Sequence, residues 1–269
     1  MADVEFAETP GGRLAYERRG SGEPLLLIMG VAGHHGMWGE PFLEALAKSF
    51  DVVAFDHRGI GESARADREF TITELADDAA AVMGSVGWES AHVMGISMGG
   101  TVAQELALRH PERVRRLVLG CTWPGTDGAN PVWGASVGKL AEAGMSGDAE
   151  QSARLMFAAN VSQTFAVEAG RFEEFASIAE SVRVPGPVVL MQMQAAAVFD
   201  SVDRLATLGI PTLVIHGSAD EVILPAAGER LAGLIPGSRF EEFDGVGHLF
   251  FWEQPDRSAD LVTSHLLAG

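Results

Sequence analysis

The sequence predicts an α/β protein, a mostly parallel central sheet flanked by helices and interrupted once by a helical insertion. Three observations carry this. Short aliphatic runs alternate along the chain with helix-length amphipathic runs. The run "PLLLIM" is apolar almost throughout, as expected of a strand covered on both faces. Between about Trp123 and Asp203 the alternation lapses into a long, largely helical interval, which in a compact domain reads as an insert rather than a loop.

The elements follow in order. "EFAE" and "RLAYERR", separated by the turn "TPGG", read as an opening hairpin, and "PLLLIM", "DVVAFD", "SAHVMGI", "VRRLVLG", "IPTLVIHG" and "SRFEEF" as strands. Helices are expected over about 39–49, 74–86, 98–110, 225–235 and 256–267. Thr71, three residues before Glu74, offers a capping box to the second, and Pro111 closes the third. "AEQSARLMFAAN", "EEFASIAES" and "VVLMQMQAAAVF" supply helices to the insert, whose Met145, Met156, Met191 and Met193 are candidates for an apolar cavity. The expected division is a core of residues 1–122 and 206–269 and a helical cap of residues 123–205.

Composition narrows the function. A chain of 269 residues that is 47% hydrophobic has enough apolar material for a sizeable core. Its formal charge of -18 repels phosphate backbones and anionic lipid, so the expected partner is a small-molecule substrate and no nucleic acid. "MADVEFAETPGG" carries acids where a secretory leader has bases and an apolar segment, and no run reaches a membrane-spanning length. No membrane partner is expected and the cytoplasm is the default location; a homodimer is compatible with the composition. Cys121 is the lone cysteine, which excludes an internal disulfide and a cysteine-rich metal site and leaves it as a packing thiol. No dinucleotide or Walker fingerprint is present and the histidines lack zinc-ligand spacing, so neither metal nor cofactor is expected.

"AHVMGISMGGTVAQELAL" holds the strongest local signal. A strand runs into Gly95, Ile96, Ser97, Met98, Gly99 and Gly100, and a helix follows. Small residues around Ser97 permit a sharp strand-to-helix turn that exposes the hydroxyl beside a helix N-terminus, where backbone N–H groups stabilise negative charge. Such a serine needs a base, and the base needs an acid to orient it. Asp220, just past the strand "TLVIHG", and His248, after the last strand, lie at the same sheet edge as Ser97 and follow it in the order Ser, Asp, His. Asp244 and His216 are lesser alternatives as acid and base; His92 and His110 read as structural.

With these residues the chain resembles the α/β-hydrolase superfamily, in particular its capped serine esterase, lactonase and cofactor-free haloperoxidase-like branch. "GISMGG", "HGSAD" and "GVGH" carry the resemblance, together with "FDHRGIGES", whose Asp56 and Arg58 are usually structural in that family. The match spans nearly the whole chain and places residues from about 123 to 205 at the variable cap. The resemblance implies a Ser97, His248 and Asp220 triad working through an acyl-enzyme, with an oxyanion hole made by the backbone N–H groups of Met98 and Val31. Relatives commonly carry His-Gly where this chain has Met29-Gly30, which removes a polar side chain from the loop. The residues expected near the substrate are Met29, Gly30, His34, His35, Trp38, Trp123, Met191, Phe199 and Leu249; the aromatic and aliphatic residues Trp38, Trp123, Trp133, Phe157, Met191 and Phe199 suggest a moderately apolar ester or lactone. A C–C bond hydrolase acting on a diketone-type substrate is the alternative, and a non-catalytic small-ligand receptor a more distant one.

Overall fold

A computed structural model of the chain describes residues 4–125, 132–145 and 148–268. Among them eight strands form one sheet: β1 (Val4–Thr9), β2 (Gly12–Gly20), β3 (Glu23–Ile28), β4 (Phe50–Phe55), β5 (Ala91–Ile96), β6 (Val114–Gly120), β7 (Thr212–Gly217) and β8 (Arg239–Phe243). Their order is β1-β2-β4-β3-β5-β6-β7-β8, with β1, β2 and β4 joined antiparallel and every later pairing parallel. Period-two alternation sends Leu25 and Leu27 to one face and Leu26 and Ile28 to the other. All four are fully buried because helices cover both faces.

The core helices are α1 (Glu40–Ala47), α2 (Ile72–Ser85) and α3 (Met98–Arg109). Five more intervene between β6 and β7: α4 (Val137–Met145), α5 (Ala149–Asn160), α6 (Gln163–Ala166), α7 (Arg171–Ala179) and α8 (Gly186–Ala197). They form the helical cap. The chain returns to the core with α9 (Pro225–Leu234), α10 (Phe250–Glu253) and α11 (Pro255–Leu266). No described helix is long and apolar enough to cross a membrane.

The expected start of α2 at residue 74 moves to Ile72 for a definite reason. Thr71 Oγ1 accepts the N–H of Glu74 at 3.2 Å while the Glu74 carboxylate accepts the N–H of Thr71 at 3.0 Å. Glu74 is therefore the third helical residue, reaching back to the cap, and not the first. The four-residue α6 has no periodicity to announce it; it exists because Ser162 Oγ caps it by accepting the N–H of Phe165.

Arg58 and Asp78 join three segments beneath this frame. The Asp78 carboxylate accepts from Arg58 Nε at 2.8 Å, from Thr9 Oγ1 at 2.8 Å and from the N–H of Gly11 at 3.0 Å. Asp78 is fully buried, so the hairpin turn, the segment after β4 and helix α2 share one desolvated charge. Removing one member strands the other, and Asp78→Ala is expected to lower unfolding free energy by about 3–5 kcal/mol in urea titrations. His92 gives the fold an acid-sensitive element. Burial, with Arg115 beside it, pushes its imidazole down from 6.5 to about 4. On acidification the unfolded chain, whose imidazole keeps the ordinary pKa, binds the proton first, so this contribution to stability is full well above pH 6.5 and declines as pH falls toward about 4. His92→Leu should flatten that part of the slope in thermal melts across the same interval.

Candidate active site

Ser97 is the single residue between β5 and α3, held at φ 55° and ψ -126°. An L-residue rarely adopts such a backbone, and it persists here because its surroundings fix it. The N–H of Ser97 donates to Gly120 O at 2.9 Å, and its carbonyl accepts from Gly100 N at 2.9 Å and Thr122 Oγ1 at 2.7 Å. A methyl on Gly95 would overlap the Gly99 carbonyl, and one on Gly99 would overlap the carbonyls of Ile28 and Met29. The glycines thus bring the first turn of α3 against the end of β3. A helix leaves the N–H groups of its first turn without carbonyl partners of its own; here those of Gly100 and Thr101 turn back to the Ser97 carbonyl, at 2.9 and 3.3 Å.

Strand order reverses at β3, which lies between β4 and β5, so the sheet opens its crevice at the carboxyl ends of β3 and β5. The loop after β3 turns through Gly30, Val31, Ala32 and Gly33, closed by Gly33 N donating to Gly30 O at 3.2 Å. It rests on the serine: a methyl on Gly30 would lie 3.0 Å from Ser97 Cβ and 3.5 Å from its Oγ.

Asp220 follows β7 and is almost fully buried. One carboxylate oxygen accepts the N–H groups of Val222 at 2.8 Å and Ile223 at 3.0 Å. The other accepts His248 Nδ1 at 2.7 Å and lies 3.2 Å from His216 Nε2. Burial alone would raise this carboxyl; the charge of His248 and the hydrogen bonds from His216 and His248 outweigh it and hold Asp220 well below the usual carboxylate range. His216 therefore sits behind the acid, also donating to Ile223 O at 2.9 Å. Asp244 is exposed beside Ser218.

The His248 loop is tied to the cap. Glu253 accepts the N–H of Gly247 at 2.8 Å and, from the start of α6, Ser162 N at 2.7 Å and Ser162 Oγ at 2.6 Å. Leu249 N donates to Asn160 O at 2.8 Å.

Ser97 and His248 border one cavity of about 80 Å3. The β3 loop contributes Met29, Gly30 and Val31, and Leu249, directly after His248, lines it as well. Met37 and the cap residues Met156, Phe175 and Asn160 complete the wall. Asn160 escaped the sequence reading; its one signal was an amide ending a helix whose other wall residue is a methionine.

The remaining candidates lie elsewhere. Trp38 is fully buried between Phe42 and Phe251, and Trp123 packs edge-on against Trp133 at 5.0 Å. Phe199 and Met191 join the hydrophobic cluster that contains Trp123. The side chain of Met145 lies outside the described residues.

His34 is buried with both ring nitrogens engaged, Nε2 donating to Ile178 O at 3.1 Å and Nδ1 accepting Gly36 N at 3.2 Å. Burial lowers its pKa. His35 donates to Asp56 from its backbone at 2.7 Å and from Nδ1 at 2.9 Å. Burial would depress His35 too, but Asp56 and then Glu17 raise it. Among the described residues His34, His35 and Asp56 are close enough to hold a metal, as are Cys121, Asp220 and His248. Both groups already spend donor atoms on the bonds just given. Cys121 is held as a thiol, its pKa raised by burial and by Asp220.

Comparison with known proteins agrees with this architecture. The family model described as alpha/beta hydrolase fold matches residues 23–255. RutD of Azorhizobium caulinodans, provisionally named a carbamate hydrolase, is 33% identical, the alignment covering 94% of each chain. Among solved structures, a thermophilic esterase from Thermogutta terrifontis is similar at TM-score 0.81 and 28% identity, covering 98% of this chain and 97% of that one. The enol-lactonase of Burkholderia xenovorans LB400 is similar at TM-score 0.83 and 25% identity, with 97% and 99% covered. The chain belongs to the alpha/beta hydrolase fold family.

Proposed function

We propose that the protein is a serine hydrolase that cleaves a carboxylic ester or lactone of a moderately apolar small molecule through an acyl-enzyme. The observation that carries this reading is the shared cavity. Ser97 and His248 border it together, and His248 is anchored through Nδ1 on a buried, ionised Asp220. Anchoring that nitrogen as a donor fixes the tautomer in which Nε2 accepts a proton.

In the proposed sequence Ser97 Oγ attacks the substrate carbonyl while its proton passes to His248 Nε2. Asp220, kept anionic by its two backbone donors and its histidines, stabilises the imidazolium. The tetrahedral oxyanion is met by the N–H groups of Met98, at the start of α3, and Val31, in the turn resting on the serine. Collapse expels the alcohol, which takes the proton from His248; with a lactone the alcohol remains tethered and the product is a hydroxy acid. Water then enters with His248 as base and releases the acid. Met29, Met37, Met156, Phe175 and Leu249 make the wall largely apolar, and its small volume suits a short acyl or alcohol group. The names of the three similar proteins, a carbamate hydrolase, an esterase and an enol-lactonase, share hydrolysis at a carbonyl bonded to a heteroatom, which supports the same class here.

A fluorophosphonate probe should label Ser97 in the wild type and leave Ser97→Ala unlabelled. On a panel of esters and lactones, with acyl and alcohol sizes varied separately, Ser97→Ala should lose at least about 10⁴-fold in kcat/KM. Folded wild type that takes no probe would remove the nucleophile from this reading, and cleavage of a diketone with esters untouched would transfer the site to C–C hydrolysis. The pH profile offers a separate check. Asp220 stays ionised well below the usual carboxylate range, so its protonation should add no step to the acid limb of kcat/KM above about pH 4 and that limb should follow a single proton. A two-proton limb above pH 4 would contradict it.

A further inference from the structure

The turn after β3 contains an anomaly. Its second central residue, Ala32, has φ 60°, in the left-handed region where glycine or asparagine is the ordinary choice. Something must hold an alanine there. The closing bond from Gly33 N to Gly30 O is long at 3.2 Å. The stronger contact comes from outside the turn: Ala32 N donates at 2.9 Å to Oε1 of Gln192, 160 residues later on α8 of the cap.

Gln192 is fully buried, and among the described residues its Nε2 has no hydrogen-bond partner. Burying an amide with an unsatisfied donor is destabilising relative to an apolar side chain of similar size. Stability therefore gives no reason for a glutamine at this place. The bond made by its oxygen does. The peptide joining Val31 to Ala32 is the one Gln192 grips, and it adjoins the Gly30–Val31 peptide, whose N–H is the oxyanion donor assigned under the proposed function. Rotating the gripped peptide would let Ala32 relax toward negative φ and would swing the turn away from the serine that Gly30 touches.

We propose that Gln192 is a positioning residue: from the cap it clamps the strained Ala32 peptide and so sets the oxyanion turn against Ser97. This rests on the assignment of Ser97 and Val31 made under the proposed function. A cap helix then governs the rate of the chemical step without touching the reacting atoms. Its effect falls on the transition state, because the oxyanion meets the turn only after attack.

The test compares wild type with Gln192→Leu, Gln192→Glu and Gln192→Leu combined with Ala32→Gly. Five quantities are read: melting temperature, amide hydrogen exchange at Ala32, kcat and KM on the best ester of the panel, and the rate of phosphonate labelling at Ser97. Gln192→Leu should melt no lower than wild type while Ala32 exchanges faster and kcat falls about 10- to 100-fold. Its KM should stay within about 2-fold, the mark of an interaction made only in the transition state. Gln192→Glu retains an acceptor and should recover most of the rate, and glycine at 32, free to hold positive φ, should recover part of it. A reactive wild type with kcat, labelling and Ala32 exchange unchanged in Gln192→Leu overturns the clamp alone. A melting temperature that falls in step with kcat makes the residue structural and overturns it equally. Wild type that takes no phosphonate overturns the site assignment and, with it, the catalytic part of the clamp.

Discussion

The structure hangs on the close approach of α3 to the ends of β3 and β5. At Gly95 and Gly99 a single added carbon would collide with backbone carbonyls of neighbouring segments. That absence of side-chain volume lets the chain reverse within one residue and leaves Ser97 strained and outward-facing. The same approach brings the first turn of the helix against the end of β3 and the start of its loop. A helix N-terminus carries partial positive charge from its backbone dipoles, and α3 begins at the serine.

Behind the cavity the polar groups are layered. His248 leans on Asp220, Asp220 on His216 and two backbone N–H groups, and Cys121 sits alongside as a neutral thiol. Each group satisfies the one in front of it, which is how a carboxylate nearly sealed from water remains charged. Arg58 and Asp78 form a comparable buried pair beneath the opposite edge, serving the frame alone. The two constellations use the same electrostatics. The first ends in His248, which borders the cavity.

Much of this was legible in the sequence, and unevenly. Strands and core helices follow from periodicity because both faces of the sheet are covered, so even a bare run such as "PLLLIM" has one reading. Ser97, Asp220 and His248 stand out because each follows a strand on the same edge, where topology brings distant positions together. Pocket walls obey no such rule. Trp38 and Trp123 have the right chemistry for an apolar site but turn into the core, a direction that sequence spacing does not encode. His34 and His35 invite a catalytic reading as a pair, yet they bind a cap carbonyl and Asp56 respectively. Asn160 is an ordinary amide on a cap helix until the tertiary fold lays it against the His248 loop.

The carboxylate of Glu253 has a consequence for how this architecture can be recombined. It joins Gly247, just before His248, to Ser162 at the start of α6, and Gly247 has no room for a side chain because Val161 and Ser162 press on it. The insert is thus stapled to the scaffold at a point remote from both of its peptide junctions. Chimaeras that exchange residues 123–205 by matching only those junctions would leave an acid facing an unsuitable neighbour. A working transplant must carry a hydroxyl with a free backbone N–H to position 162, and modularity in this protein is set by that staple more than by the places where the chain is cut.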